Sequence, residues 1–431
     1  MGDRFRRRLT GMLAAATVAL MLSPQLGALA RLPDEMVLDA GTVTILPVSS
    51  AVRADTTGDA CALERVGDGF GADGSVRLMA GDSGEAELTF RLLGLLPVRT
   101  VRVSVRPEKV LVPGGQSVGV AMTTGSVLVV GSSDLGKTPS PARLAGLKSG
   151  DVIQSVDGAE LNGAAQLSAC LADGETAHLK VLRGKNVVEC DVTPARDERD
   201  GSYRLGAWVR DSTAGVGTLT FYDPQTRAYG ALGHAITDVD TGVVMPVGEG
   251  GIYKNGVVDV KPSSAGKPGE LAGDFLGRTE ALGSVTVNSE YGIYGQVSGP
   301  ISRGLYPEGL PVAGRGQIHT GPATLLTTLD GETVREYACE VVRLSGASEP
   351  AARAMVIRVT DPELLEKAGG IVQGMSGSPL IQDGHIIGAV THVMVNDPAM
   401  GYGICIDTML ETARGCLSGQ PLVITGPFRS R

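Results

Sequence analysis

The chain has 431 residues, enough for two or three domains with cores of their own, and a formal net charge of −9. With 61 glycines, 4% aromatic residues and no Lys/Arg-rich patch after the N-terminus, it reads as short strands and tight turns. That composition argues against a helical bundle and against a nucleic-acid partner.

The first thirty residues place Arg4, Arg6, Arg7 and Arg8 before an apolar run over 9–22, then Ser23-Pro24 and the small-residue Ala28-Leu29-Ala30. Basic, apolar and small-residue regions in that order are the pattern of an export signal. The run is short for a membrane span of about twenty residues, and extending it to Ala30 makes an uncleaved anchor instead; residues 1–30 are signal or anchor. The arginines hold the N-terminus in the cytoplasm and leave the remainder outside. Residues 31–109 follow as a small β-rich region with strands expected over 36–47 and 86–105, where Val101, Val103 and Val105 share a face.

Residues 110–197 carry a more specific pattern. Ala145-Gly146-Leu147-Lys148 leads to Gly150-Asp151, Ile153, Val156 and Gly158, with apolar positions, a turn aspartate and turn glycines in order. A helix is expected over 163–172 and strands over 177–182 and 186–192. The stretch 141–158 resembles the PDZ domains of exported bacterial proteases. The resemblance implies binding of an extended peptide as an added strand, with a backbone nest for a terminal carboxylate. It directs that nest to the loop Gly114-Gly115-Gln116-Ser117-Val118-Gly119-Val120, making Gly115, Val118, Gly119 and Val120 the candidate peptide-binding residues.

Asp197-Glu198-Arg199-Asp200-Gly201 reads as a charged boundary, and residues 202–425 as a domain of short strands, among them 217–223, 230–236, 243–247, 314–318 and 354–359, closed by a helix over 404–414. Near its end stands Gly374-Met375-Ser376-Gly377-Ser378-Pro379. A serine on such a turn projects its hydroxyl while the amides of Gly374 and Ser376 converge as an oxyanion hole. The turn is similar to the Gly-Asp-Ser-Gly-Gly-Pro turn of trypsin-like serine proteases, with Met375 where they have aspartate.

A nucleophilic serine needs a base, and there are five histidines. His178 falls in a strand of the PDZ-like region, His385 in a hairpin turn, and His319 in a loop. His392 sits on the strand returning beside the serine turn, where it lines a cleft. His234, after an apolar strand and Gly233, is the candidate base. Three aspartates can orient it: Asp361, at a strand-to-turn junction, and Asp238 and Asp240, which otherwise build the turn before Gly242.

Together, residues 360–379, Gly388-Ala389-Val390-Thr391-His392-Val393 and Gly233-His234 with Thr237-Asp238, Asp240-Thr241-Gly242 resemble the stage IV sporulation protein B peptidases. The resemblance implies a mainly β protein with a PDZ domain and a trypsin-like double β-barrel, nucleophile Ser376, base His234 and carboxylate Asp361. It implies an exported serine endopeptidase of sporulation, acting between forespore and mother cell. Such an enzyme cleaves itself near its N-terminus and cuts an extracytoplasmic domain of a membrane-bound inhibitor of an intramembrane metalloprotease, so that sigma-K is processed. No cofactor is implied, and the six scattered cysteines, without a CxxC pair, suggest no metal or redox centre. The alternative is an inactive PDZ-bearing adaptor that regulates the membrane protease by binding.

Overall fold

The computed structural model describes residues 32–40, 43–48, 52–58, 63–66, 75–81, 83–106, 108–275, 280–299, 301, 304–345 and 349–417. The expected signal or anchor, residues 1–30, lies outside them. The chain divides into two compact units, residues 1–109 with 311–319, and residues 110–310 with 320–431.

In the first unit the strands Glu35–Asp39, Leu96–Arg106, Gly84–Leu92 and Val52–Gly58 form one sheet, and Val43–Pro47, Ser75–Ala80 and Leu63–Val66 another. Alternation turns Ala86, Leu88, Phe90, Val101, Val103 and Val105 into a core shared with Leu46 and Leu78 of the smaller sheet. The strand expected over 36–47 is two strands, one in each sheet. The run 86–105 is a hairpin, turning where Leu93 and Gly94 take positive φ.

The second unit is organised by two 16-residue strands, an outgoing strand Ser117–Ser132 and a return strand Ala207–Tyr222. They pair antiparallel from Ala207 with Ser132 to Thr218 with Ser117. At their far end they belong to the PDZ-like module: strand Asp151–Val156, helices Pro141–Leu144 and Ala164–Cys170, and the hairpin Ala177–Arg183 with Asn186–Val192. Val127, Ile153, Leu167, Leu179, Val181 and Leu205 fill its core. At their near end the same two strands join Val110–Pro113, Ala228–Ala231, Gly250–Lys254 and Gly292–Gln296 in a half-barrel around Val118, Val120, Leu219, Tyr229, Ile252 and Ile293. The strands Gly321–Thr328, Val334–Leu344, Met355–Val359, Asp397–Cys405, His385–Met394 and Pro379–Gln382 close a six-stranded barrel.

The module is therefore an insertion in the half-barrel, which corrects the expected boundaries at 110, 197 and 202. Residues 110–122 belong to the half-barrel, while Leu205 and Val209, beyond the charged turn at 197–201, pack in the module. An alternating apolar strand reads the same whichever sheet receives it, so one strand serving two sheets leaves no mark at the crossing. The strand expected over 314–318 is instead a single turn of 3-10 helix, Arg315–Gln317. The closing helix is Ile406–Leu417, with Ile406, Met409 and Ala413 buried on one stripe.

Candidate active site

The serine turn hangs from the return strand. Thr218 N–H donates to the Ser376 carbonyl at 3.0 Å, Thr218 Oγ1 to the Gly374 carbonyl at 2.8 Å, and Thr220 Oγ1 to the Gly377 carbonyl at 2.7 Å. Gly374 (φ +98°) and Gly377 (φ +94°) occupy backbone conformations that favour glycine. A Cβ on Gly377 would also lie 2.2 Å from the Thr218 carbonyl oxygen. Met375 is fully buried, and its N–H is spent on the Val372 carbonyl at 3.1 Å. The amides of Gly374 and Ser376 have no acceptor among the described residues. Two unspent donors flanking the serine are the requirement for holding an oxyanion.

His234 follows the strand Ala228–Ala231 and lines the same cleft as Ser376, together with Thr213–Val216, Gln373, Gly374, Thr391 and His392. Its Nδ1 lies 2.8 Å from the Ala235 carbonyl, which can only accept. Nδ1 therefore carries the proton, and Nε2 presents a lone pair. Burial holds the His234 pKa below the ordinary histidine value, against the opposing pull of the Ala235 carbonyl, and so favours the neutral base. Asn288 braces the following segment, accepting from Ile236 N–H at 2.8 Å and donating to the Ile236 and Met245 carbonyls.

The Ser376 hydroxyl donates to the Thr391 carbonyl at 2.8 Å and makes no hydrogen bond to His234. Proton transfer to His234 would require the hydroxyl to leave that carbonyl. The ring of His392 packs against that of His234 with centroids 4.9 Å apart. The His392 pKa falls to about 4, through desolvation first and then through His234 and Arg353.

None of the three candidate carboxylates meets His234. Asp361 caps the helix Pro362–Ala368: its Oδ1 accepts from the amides of Glu363 and Leu364, and its Oδ2 from that of Ala338. Those bonds hold it away from the cleft-lining set, which corrects its expected place beside the base. Asp238 accepts from Thr241 and from Arg210 of the return strand, and Asp240 pairs with the same arginine at 2.8 Å. Both serve the turn that follows His234.

The candidate nest is also displaced. Val118 and Val120 sit in the half-barrel core, a Cβ on Gly119 would fall 2.0 Å from the Phe275 ring, and Gly115 lies against Leu326 and Val334 of the closed barrel. A groove is present on the module elsewhere, between the helix Ala164–Cys170 and the start of the return strand, lined by Leu167, Leu171, Leu205, Gly206, Ala207 and Trp208. The sequence signal for it is Leu205-Gly206-Ala207, an apolar-Gly-apolar triplet opening a strand, which a domain boundary at 197–201 cuts off from the module. Among the described residues no group of three or more His, Cys, Asp or Glu is placed to hold a metal ion, and Cys170, Cys190 and Cys339 form no disulfide.

Among solved structures, the chain is similar to the PDZ domain of the SdrC-like protein from Listeria monocytogenes, at 20% identity, covering 20% of this chain and 90% of that one with a TM-score of 0.18. It is also similar to the Rv3671c protease of M. tuberculosis. The active form is 15% identical, covering 50% of this chain and 78% of that one with a TM-score of 0.28; the inactive form is 17% identical, covering 47% and 83% with a TM-score of 0.25. Residues 201–410 match the family model described as SpoIVB peptidase S55, which supports a sporulation serine peptidase.

Proposed function

We propose that the chain hydrolyses peptide bonds through an acyl-enzyme, with Ser376 as nucleophile and His234 as its base. The observation that carries this reading is one cleft holding a neutral imidazole, a serine hydroxyl and two unspent amides, those of Gly374 and Ser376. On substrate binding the hydroxyl leaves the Thr391 carbonyl and turns to His234 Nε2. The imidazole takes its proton during attack and returns it to the leaving amine, and the two amides hold the developing negative charge. The Ala235 carbonyl does for Nδ1 what a carboxylate does in a Ser-His-Asp triad, fixing the tautomer. His392 supports the ring from the side.

The physiological substrate in this reading is an extracytoplasmic domain of a membrane-bound regulator, whose cleavage activates an intramembrane metalloprotease and sigma-K processing. The chain also cuts its own N-terminal region. Its place is the space between forespore and mother cell, reached by export and with membrane association through the N-terminal segment before cleavage. The match of residues 201–410 to the SpoIVB peptidase model and the pattern of residues 1–30 support these assignments.

Purified protein should release a defined fragment from such a substrate, and Ser376→Ala or His234→Ala should lower kcat by at least about 10⁴ without unfolding the chain. Release at an undiminished rate by Ser376→Ala would overturn the nucleophile. An adaptor without activity is favoured by one observation, the hydroxyl turned to Thr391 and away from the base. A serine-directed phosphonate separates the two: labelling of Ser376 supports the peptidase, and absence of labelling supports the adaptor.

A further inference from the structure

The return strand has an unfilled edge that joins two grooves. Over residues 207–218 it pairs with the outgoing strand on one side. On its other side pairing with Ala228–Ala231 begins only at Leu219, and Thr218 is taken by the Ser376 carbonyl. Among the described residues no strand occupies that side over 207–217. A bare edge presents a row of donors and acceptors to any extended chain of matching direction. At one end this edge, at Ala207–Val209, borders the module groove with Leu167 and Leu171. At the other, Thr213–Val216 border the cleft of His234 and Ser376.

The module end has a terminus for such a chain. The Leu205 and Gly206 carbonyls accept from Ala142 N–H at 2.8 Å and Ser133 N–H at 2.9 Å, and both also accept from Ser140 Oγ. Their own amides have no acceptor among the described residues. The charged neighbours are already neutralised, Arg199 by Asp197 and Arg204 by Asp200 and Asp197. The unspent donors are therefore backbone N–H groups, which suit a carboxylate.

We propose that a single substrate strand fills both grooves: a protein C-terminus whose free carboxylate sits on the Leu205 and Gly206 amides, and which runs antiparallel along the return strand into the catalytic cleft. The inference rests on the peptidase reading and adds a substrate class and a length. A strand antiparallel to residues 207–216 with its end at Gly206 lies with its N-terminal side towards Ser376. At one residue per strand position the scissile bond falls about ten residues from the substrate's C-terminus. On substrates of this class, unlike its own N-terminal region, the enzyme measures its cut from a free end.

The test uses the full chain and synthetic peptides carrying one cleavable sequence followed by 4, 7, 10, 13 or 16 residues, each made as the free acid and as the amide. The expected result is a maximum in kcat/KM near ten residues, with amidation lowering it at least ten-fold there and having little effect at four. A flat length dependence, or equal rates for acid and amide, with cleavage still abolished by Ser376→Ala, overturns the spanning strand and leaves the peptidase standing. Absence of Ser376-dependent cleavage at every length overturns the peptidase. In that event a photo-crosslinker at each end of the ten-residue acid peptide decides the strand on its own: labels near Leu205–Trp208 and near Thr213–Val216 support it, and labels at one end only, or at neither, overturn it.

Discussion

Asp361 separates a structural from a chemical role with a single substitution. Its carboxylate is spent on three amides at the start of the helix Pro362–Ala368. Asparagine caps about as well as aspartate but has one acceptor oxygen and leaves the Ala338 N–H without it, so Asp361→Asn should cost ~1 kcal/mol in unfolding and keep kcat within about three-fold. A triad carboxylate replaced in this way typically loses about 10⁴ in kcat, and a loss of that order would restore Asp361 to the site. The pH profile carries the same logic for His234. Burial depresses its pKa, so the free enzyme keeps the neutral base to lower pH than an ordinary histidine does. The acid limb of kcat/KM should accordingly fall below the usual histidine value of about 6.5. A limb at or above that value would mean that a charge not seen beside His234 stabilises its protonated form.

On the scale of elements, the return strand is the member with most to do. Its Arg210 reaches the turn after His234 and pairs with both Asp238 and Asp240. Burial pushes the Asp238 carboxyl up, but hydrogen bonds from Thr241 and Arg210 outweigh it and keep the group below its ordinary value. Removing the guanidinium leaves a buried carboxylate with only neutral donors. Arg210→Ala should therefore cost ~1–3 kcal/mol in urea unfolding, with a fall in kcat as the His234 segment loosens; an unchanged midpoint would refute the tie. Much of this level was legible in the sequence. The spacing of Val101, Val103 and Val105 gave a strand with one buried face, the glycines around Ser376 marked the turn, and Gly233-His234 marked a histidine that lines the cleft of Ser376. The rest was not legible because it depends on partners far along the chain. Asp361 before Pro362 looks the same whether it caps a helix or orients an imidazole, and the hydrogen bond from the Ala338 N–H, 23 residues away, helps decide between them. Gly115 and Gly119 look like nest glycines, yet Gly119 is close-packed under Phe275, more than 150 residues later.

For the second unit as a whole, the insertion makes the half-barrel and the module inseparable in a way that the matched range 201–410 does not show. A chain beginning at 202 would keep His234, Ser376 and the whole closed barrel but lose the outgoing strand. Val118, Val120 and Met122, each no more than 3% exposed, would leave the cores they fill. Burial of side chains of this size contributes ~1.5–3 kcal/mol each, and the return strand and Gly250–Lys254 would both lose their ladders to the outgoing strand. That loss is comparable with the ~5–15 kcal/mol by which whole domains are stable. A chain from 202 to 431 should therefore show no cooperative urea transition and no phosphonate labelling of Ser376, whereas one from 110 to 431 should show both. A sharp transition with labelling in the shorter chain would mean that the half-barrel closes without Val118 and Val120, and that the module hangs on a dispensable stalk. The continuity of the return strand, from the module groove to the Thr218 bonds that carry the serine turn, would then be incidental to catalysis.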